Sequence, residues 1–137
     1  MISSESMIAF EDVTRATVYF SAKDIHDLVL ALPPEKRRYT KLMAATVKEP
    51  QEIWQCWVRD EEEAGKWEKV RSYLCWYQFL PSDSRDSHVF AIVQFTYRQR
   101  WQMRRLDVLV GEEVDLIPEI DKLYRVGSME YPRVGGS

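Results

Sequence analysis

Cysteine, histidine and glycine are scarce in this sequence, and each scarcity removes a class of protein. The two cysteines, Cys56 and Cys75, have no CxxC or Cys/His ligand spacing around them, so no zinc site is expected and both read as small apolar residues. The two histidines, His26 and His88, could serve a two-histidine ribonuclease mechanism only by meeting across the fold, and His26 reads as a surface helix residue. The five glycines form neither a Walker loop nor a dinucleotide fingerprint, and no HExxH or GxSxG motif is present. There is no apolar run of about 18 residues, and the opening MISSESMIAF lacks a basic region followed by a long apolar stretch. No membrane segment is expected.

What the sequence does contain is core-forming material. Hydrophobic residues make up 45% of the 137, charged residues 30%, and there are 5 Trp, 7 Tyr and 5 Phe. That length and composition suit a single domain over 1–137, closing one core without a disulfide or structural metal. The net charge of -3 argues against a general nucleic-acid coat protein, because duplex binding depends on neutralising phosphates. Local charge is uneven. Arg98, Arg100, Arg104 and Arg105 cluster, while acid collects at 60–63 and at Glu112, Glu113 and Asp115.

Periodicity divides the chain into an N-terminal segment (1–20), a helical part (21–64) and an antiparallel sheet (66–133). The first segment is ambiguous, since TRATVYF favours a strand whereas SESMIAFED could begin a helix capped by Ser3 or Ser4. Ser21 is a good N-cap for a helix carrying Ile25, Leu28, Val29 and Leu32, stopped by Pro33 and Pro34. Pro34 opens a second helix with Tyr39, Leu42, Met43 and Thr46 along one side, and Pro50 a short third one with Ile53, Trp54 and Trp57. After Gly65 the period changes from 3.6 to 2. Strands are expected over 68–80, 88–98, 101–110 and 122–132, with PSDSRDS as a loop and one helical turn near Pro118.

The expected fold is therefore α+β, with N-terminal helices packed on one face of a four-stranded antiparallel β-meander. The uncovered face would carry Lys69, Arg71, Tyr73, Thr96, Arg98 and Arg105, a cationic and hydroxyl-bearing surface. Taken singly, each of these also fits a solvated outer face. Asp107 stands nearly alone there, so two-metal hydrolysis is not expected.

Three segments carry a family likeness. ATVKEPQEIWQCW contains Glu49-Pro50-Gln51-Glu52-Ile53-Trp54, KVRSYL is a basic strand, and LYRVGSMEY ends the sheet with Arg125, Gly127 and Tyr131. Spanning 45–133, these resemble the phage-borne nuclease domains of the Barnase, EndoU, Colicin and RelE-like fold, often fused behind phage minor head proteins of the Mu F type. One departure stands out. Such domains tend to present a Thr-containing segment after the Trp of the third strand, and here Trp101 precedes Gln102, Met103, Arg104 and Arg105.

The resemblance implies a toxin-like, metal-independent endoribonuclease that transfers the RNA 2′-oxygen to the adjacent phosphate, with no cofactor. Its catalytic set would be Lys69, Arg71, Tyr73, Arg105 and Arg125, with Arg forks on the phosphate and Lys69 or Tyr73 as a base of lowered pKa. Substrate contacts would come from Tyr77, Thr96, Arg98 and Trp101, and Tyr73, Tyr77, Phe90 and Trp101 could stack unpaired bases or pack on one another. Its partners would be RNA, tRNA included, and a cognate inhibitor or immunity protein; it would act in the cytoplasm after delivery within a larger phage or toxin protein. The other reading of the same residues is a catalytically silent binding module of similar fold, which the acidic pI and the missing Thr favour.

Overall fold

The structure is a computed structural model that describes residues 7–60, 62–78 and 88–132. The expected PSDSRDS loop, Glu61 and the Ser3/Ser4 cap lie outside these residues. The ambiguous N-terminal segment resolves as a hairpin of β1 (Met7–Glu11) and β2 (Thr17–Ser21). Asp12 builds its turn by accepting from the backbone N–H groups of Thr14 (2.7 Å) and Ala16 (3.1 Å). Ser21 then caps α1 (Ala22–Ala31), taking the Asp24 N–H at 3.0 Å. A 3-10 turn over Pro34–Tyr39 leads to α2 (Lys41–Lys48), which buries Met43, Thr46 and Val47.

The expected third helix is a strand, β3 (Glu52–Arg59). The i, i+3 spacing of Trp54 and Trp57 mimics a helix face, but the segment also alternates Ile53, Gln55, Trp57 against Trp54, Cys56, Val58. Trp54 donates its indole N–H to Glu52 at 2.8 Å, a contact between residues two apart that share one side of a strand. Pairing on both edges, with β4 and with β7, settles the competition in favour of strand.

The expected four-stranded meander is also overturned. β4 (Trp67–Gln78), β5 (His88–Tyr97) and β6 (Trp101–Gly111) do run antiparallel in succession. The chain then forms α3 (Glu113–Leu123) and returns as β7 (Ser128–Tyr131) beside β3 rather than β6. The result is a seven-stranded sheet, order β1-β2-β6-β5-β4-β3-β7, mixed because β2 meets β6 in parallel. It curls into a half-barrel: Asp12, at the tip of the β1–β2 hairpin, touches Arg71 on β4 although β6 and β5 lie between in sheet order.

Both faces of the sheet are buried at its centre. On the concave face α1 and α2 cover Tyr73, Val89, Ala91, Val93, Phe95, Leu106 and Val108. On the convex face α3 brings Ile120 and Tyr124 onto Leu74, Phe90, Ile92 and Leu109. Arg71 and Tyr73 thus belong to the helix-covered face, because their register partners are Phe95 and Val93. Thr96 and Arg105 point the other way, in register with Val70 and Gln94.

Strict alternation along β6 would have kept Trp101, Met103 and Arg105 together. A bulge opposite Gln94/Phe95 leaves Trp101 and Met103 concave and turns Arg105 convex. Gly127 has a structural reason of its own. Its φ is +92°, and a Cβ there would clash with the Gln55 carbonyl oxygen, so only glycine lets the chain cross onto β3.

Candidate active site

Register places three rows of side chains across the concave face. Innermost are Ile53, Tyr73, Val93 and Leu106; next come Gln55, Arg71, Phe95 and Met103; at the rim stand Trp57, Lys69, Tyr97 and Trp101. The helices cover the inner row and leave the rim open. Polar chemistry gathers where core meets rim.

Arg71 is the hub. Its Nε and Nη2 donate to Asp12 Oδ2 at 3.3 and 3.0 Å, Nη2 also to Thr14 Oγ1 at 2.6 Å, Nη1 to Gln55 Oε1 at 2.8 Å, and Nε to the Tyr73 hydroxyl at 3.0 Å. Tyr73 in turn donates a very short hydrogen bond to Asp12. Asp12 and Arg71 are 4% and 3% exposed, so this is a buried ion pair with its remaining valences satisfied. Burial works against the Asp12 charge, but hydrogen bonds from Tyr73 and Thr14 and the Arg71 guanidinium outweigh it, holding the carboxyl below its ordinary value.

For Tyr73 the balance runs opposite to the sequence expectation. Burial pushes its phenol well above the ordinary value, and the Arg71 charge, acting the other way, does not compensate. Tyr73 keeps its proton and serves as a donor to Asp12 rather than as a base.

Lys69 sits one row outward. Its Nζ lies 5.9 Å from the Trp57 ring centre and 6.0 Å from that of Trp101, and among the described residues no carboxylate pairs with it. Trp101 also backs Arg71, at 5.9 Å. The site therefore combines an ammonium that has no carboxylate partner among the described residues with a buried guanidinium whose three nitrogens each donate within the protein.

The other sequence-derived candidates are elsewhere. Arg105 is convex and reaches Asp107 at 3.5 Å; Arg125 clamps Glu52 at 2.8–2.9 Å and Asp121 at 3.0 Å, tying α3 to β3. Thr96 and Arg98 both bond Glu68, at 3.3 and 2.6 Å, on the convex side of the rim. Tyr77 lies under α2 with its hydroxyl 2.9 Å from Thr46, and Phe90 is fully buried by α3. Asp107 is not alone, since Tyr124 donates to it at 2.7 Å and Lys36 approaches to 3.5 Å. His26 is exposed on α1 and His88 is convex beside Trp76, on opposite sides of the sheet.

Asp12, Thr14, Gln55, Trp57 and Tyr97 were missed as site residues. A signal existed for the first two: Asp12-Val13-Thr14-Arg15 separates two β-prone runs, as a hairpin turn would. Both cysteines are free thiols, with burial raising their pKa values. Among the described residues no group of three or more His, Cys, Asp or Glu side chains could hold a metal, and no helix is long and apolar enough to cross a membrane.

Comparison with known proteins gives one result. The family model described as phage-Barnase-EndoU-ColicinE5/D-RelE like nuclease2 matches residues 4–106. No curated protein matches, and no solved structure does. The matched span differs from the 45–133 that carried the sequence resemblance. It takes in the β1–β2 hairpin with Asp12 and Thr14, all of β3 to β5 and the rim row, and stops before Arg125 and Gly127. Since it covers well over half of the chain, the protein belongs to the phage-Barnase-EndoU-ColicinE5/D-RelE like nuclease2 family.

Proposed function

We propose that the domain is a metal-independent endoribonuclease of toxin type, acting on RNA at the open end of the concave sheet face. The observation that carries this reading is Lys69, a cation with no carboxylate partner among the described residues, held between two Trp rings directly above the buried Arg71–Asp12–Tyr73 network. In the reaction the 2′-hydroxyl gives its proton to solvent as its oxygen bonds to phosphorus, and the bond to the 5′-oxygen breaks, leaving a 2′,3′-cyclic phosphate and a 5′-hydroxyl. Lys69 contacts the non-bridging oxygens as charge develops and supplies the departing 5′-oxygen with a proton that it regains from water. Arg71 adds a fixed positive charge beneath it, oriented by Asp12, Thr14 and Gln55. A toxin of this kind requires a cognate inhibitor in the cell that makes it, and tRNA is among its candidate substrates.

One observation favours a second reading, a silent binding module. Four of the five N–H groups of Arg71 are already engaged within the protein, so a bidentate grip on phosphate would have to displace Asp12, Thr14 or Gln55. The deciding experiment incubates the protein with tRNA and an RNA pool in EDTA, beside an all-deoxy control. Cleavage that survives EDTA, ends in cyclic phosphate, spares DNA and falls about 100-fold or more in Lys69→Ala supports the nuclease. Loss of cleavage in EDTA, equal cutting of DNA, or no cleavage at all would sink it.

A further inference from the structure

The rim row contains more than the cation. Trp57 is the register partner of Lys69 on β3, and Tyr97 flanks it on β5, one position beyond the Val70–Thr96 pair. Both rings are unusually open for their type, Trp57 at 62% and Tyr97 at 50% exposure. Two side chains flanking one strand stand about 10 Å apart, twice the interstrand spacing. Trp101, half-buried, is a support: it backs Lys69 and Arg71 and meets Tyr97 edge to face at 5.2 Å.

The geometry points to a grip for a single-stranded RNA step, in which Trp57 and Tyr97 each stack one of two splayed nucleobases and Lys69 holds the phosphate that joins them. The alternation decides the chemistry of the partner. Ring, cation and ring repeat across three strands, matching base, phosphate and base. Beside Trp57 a cleft of about 490 Å³ continues over Gln55, Cys56 and Val58 to Gly127 and Ser128. It is open because β7 pairs with β3 only as far as Gln55, and its volume lies in the usual range for small-ligand sites. A base-paired duplex cannot use this row, since its bases are stacked on each other and their faces are unavailable.

This inference deepens the nuclease reading by naming an unpaired step as its substrate, so its test is kept separate from cleavage. Binding of fluorescein-labelled 2′-O-methyl oligonucleotides, which lack the attacking hydroxyl, is measured by anisotropy for the wild type, Trp57→Ala, Tyr97→Ala, Lys69→Ala and the distant control Lys122→Ala. Each of the three rim variants should bind a single strand at least about fivefold more weakly, with Lys122→Ala unchanged and the annealed duplex bound weakly by all. Circular dichroism checks that the exposed substitutions leave the fold intact, and Trp57→Phe should restore most of the affinity. Equal binding of duplex and single strand, affinities within twofold of wild type in Trp57→Ala and Tyr97→Ala, or no binding at all would overturn the grip. The last outcome would turn this face over to a protein partner. Binding without cleavage of unmodified RNA would sustain the grip while removing the nuclease reading, and cleavage with ring-independent binding would do the reverse.

Discussion

Removing Asp12 should unfold the site before it tests any chemistry, and the size of that effect follows from the network. Asp12→Ala leaves the Arg71 guanidinium 3% exposed without its counter-charge, and also deprives the hairpin turn of the Thr14 and Ala16 hydrogen bonds. Breaking one side of a buried pair costs about 3–5 kcal/mol, a large share of the roughly 5–15 kcal/mol that holds a domain together. With a urea dependence of about 2 kcal/mol per molar, the midpoint should fall by about 1.5–2.5 M. Arg71→Ala should cost a similar amount, and the double variant much less than the two together, because each partner is expensive mainly when left alone.

Stability against pH supplies an independent check. The folded Asp12 carboxyl is more acidic than the unfolded one, so at low pH the unfolded chain binds the extra proton. The contribution of Asp12 is therefore complete above the ordinary aspartate value, declines as pH falls through the folded-state value, and is missing from the Asp12→Ala profile. A loss below about 1 kcal/mol in Asp12→Ala, or additive losses in the double variant, would refute the view that this is a buried and coupled pair.

Three other substitutions separate site from scaffold. Arg125→Ala should lower stability by about 1–3 kcal/mol through loss of its charged hydrogen bonds to Glu52, with cleavage per folded molecule unchanged; Lys69→Ala should do the opposite, and thermal melting beside an RNA cleavage assay reads both. Tyr77→Phe should cost about 1 kcal/mol from the lost Thr46 contact and leave RNA binding unaltered. Burial pushes the Tyr77 phenol to about 12, so ultraviolet titration should show one fewer late-ionising tyrosine in the variant, with buried Tyr73 and Tyr124 remaining. Gly127→Ala combines a positive φ with a clash against the Gln55 carbonyl and should cost about 2–3 kcal/mol in urea unfolding.

The local text of the sequence was sufficient for features that depend on neighbours in the chain. Ser21 capping α1, the stop at Pro33 and Pro34, and the period-2 alternation of β4, β5 and β6 are all consequences of backbone sterics and side-chain spacing. The family was legible too, and of the residues expected at its site the sheet brings Lys69, Arg71, Tyr73 and Trp101 to one region.

Everything that depends on what lies opposite a strand was decided by the tertiary structure. Glu52–Arg59 fits a helix or a strand by its own spacing, and only partners on both edges choose between them. The faces of β4 to β6 were separable from sequence but not assignable, because α3 buries the second face that a meander would have left open. One bulge moved Arg105 across the sheet, an event that alternation cannot foresee. Asp12 meets Arg71 from 59 residues away only because the sheet curls. Sequence fixes which side chains are available, but long-range pairing and curvature determine which of them share a face, and therefore which can act together.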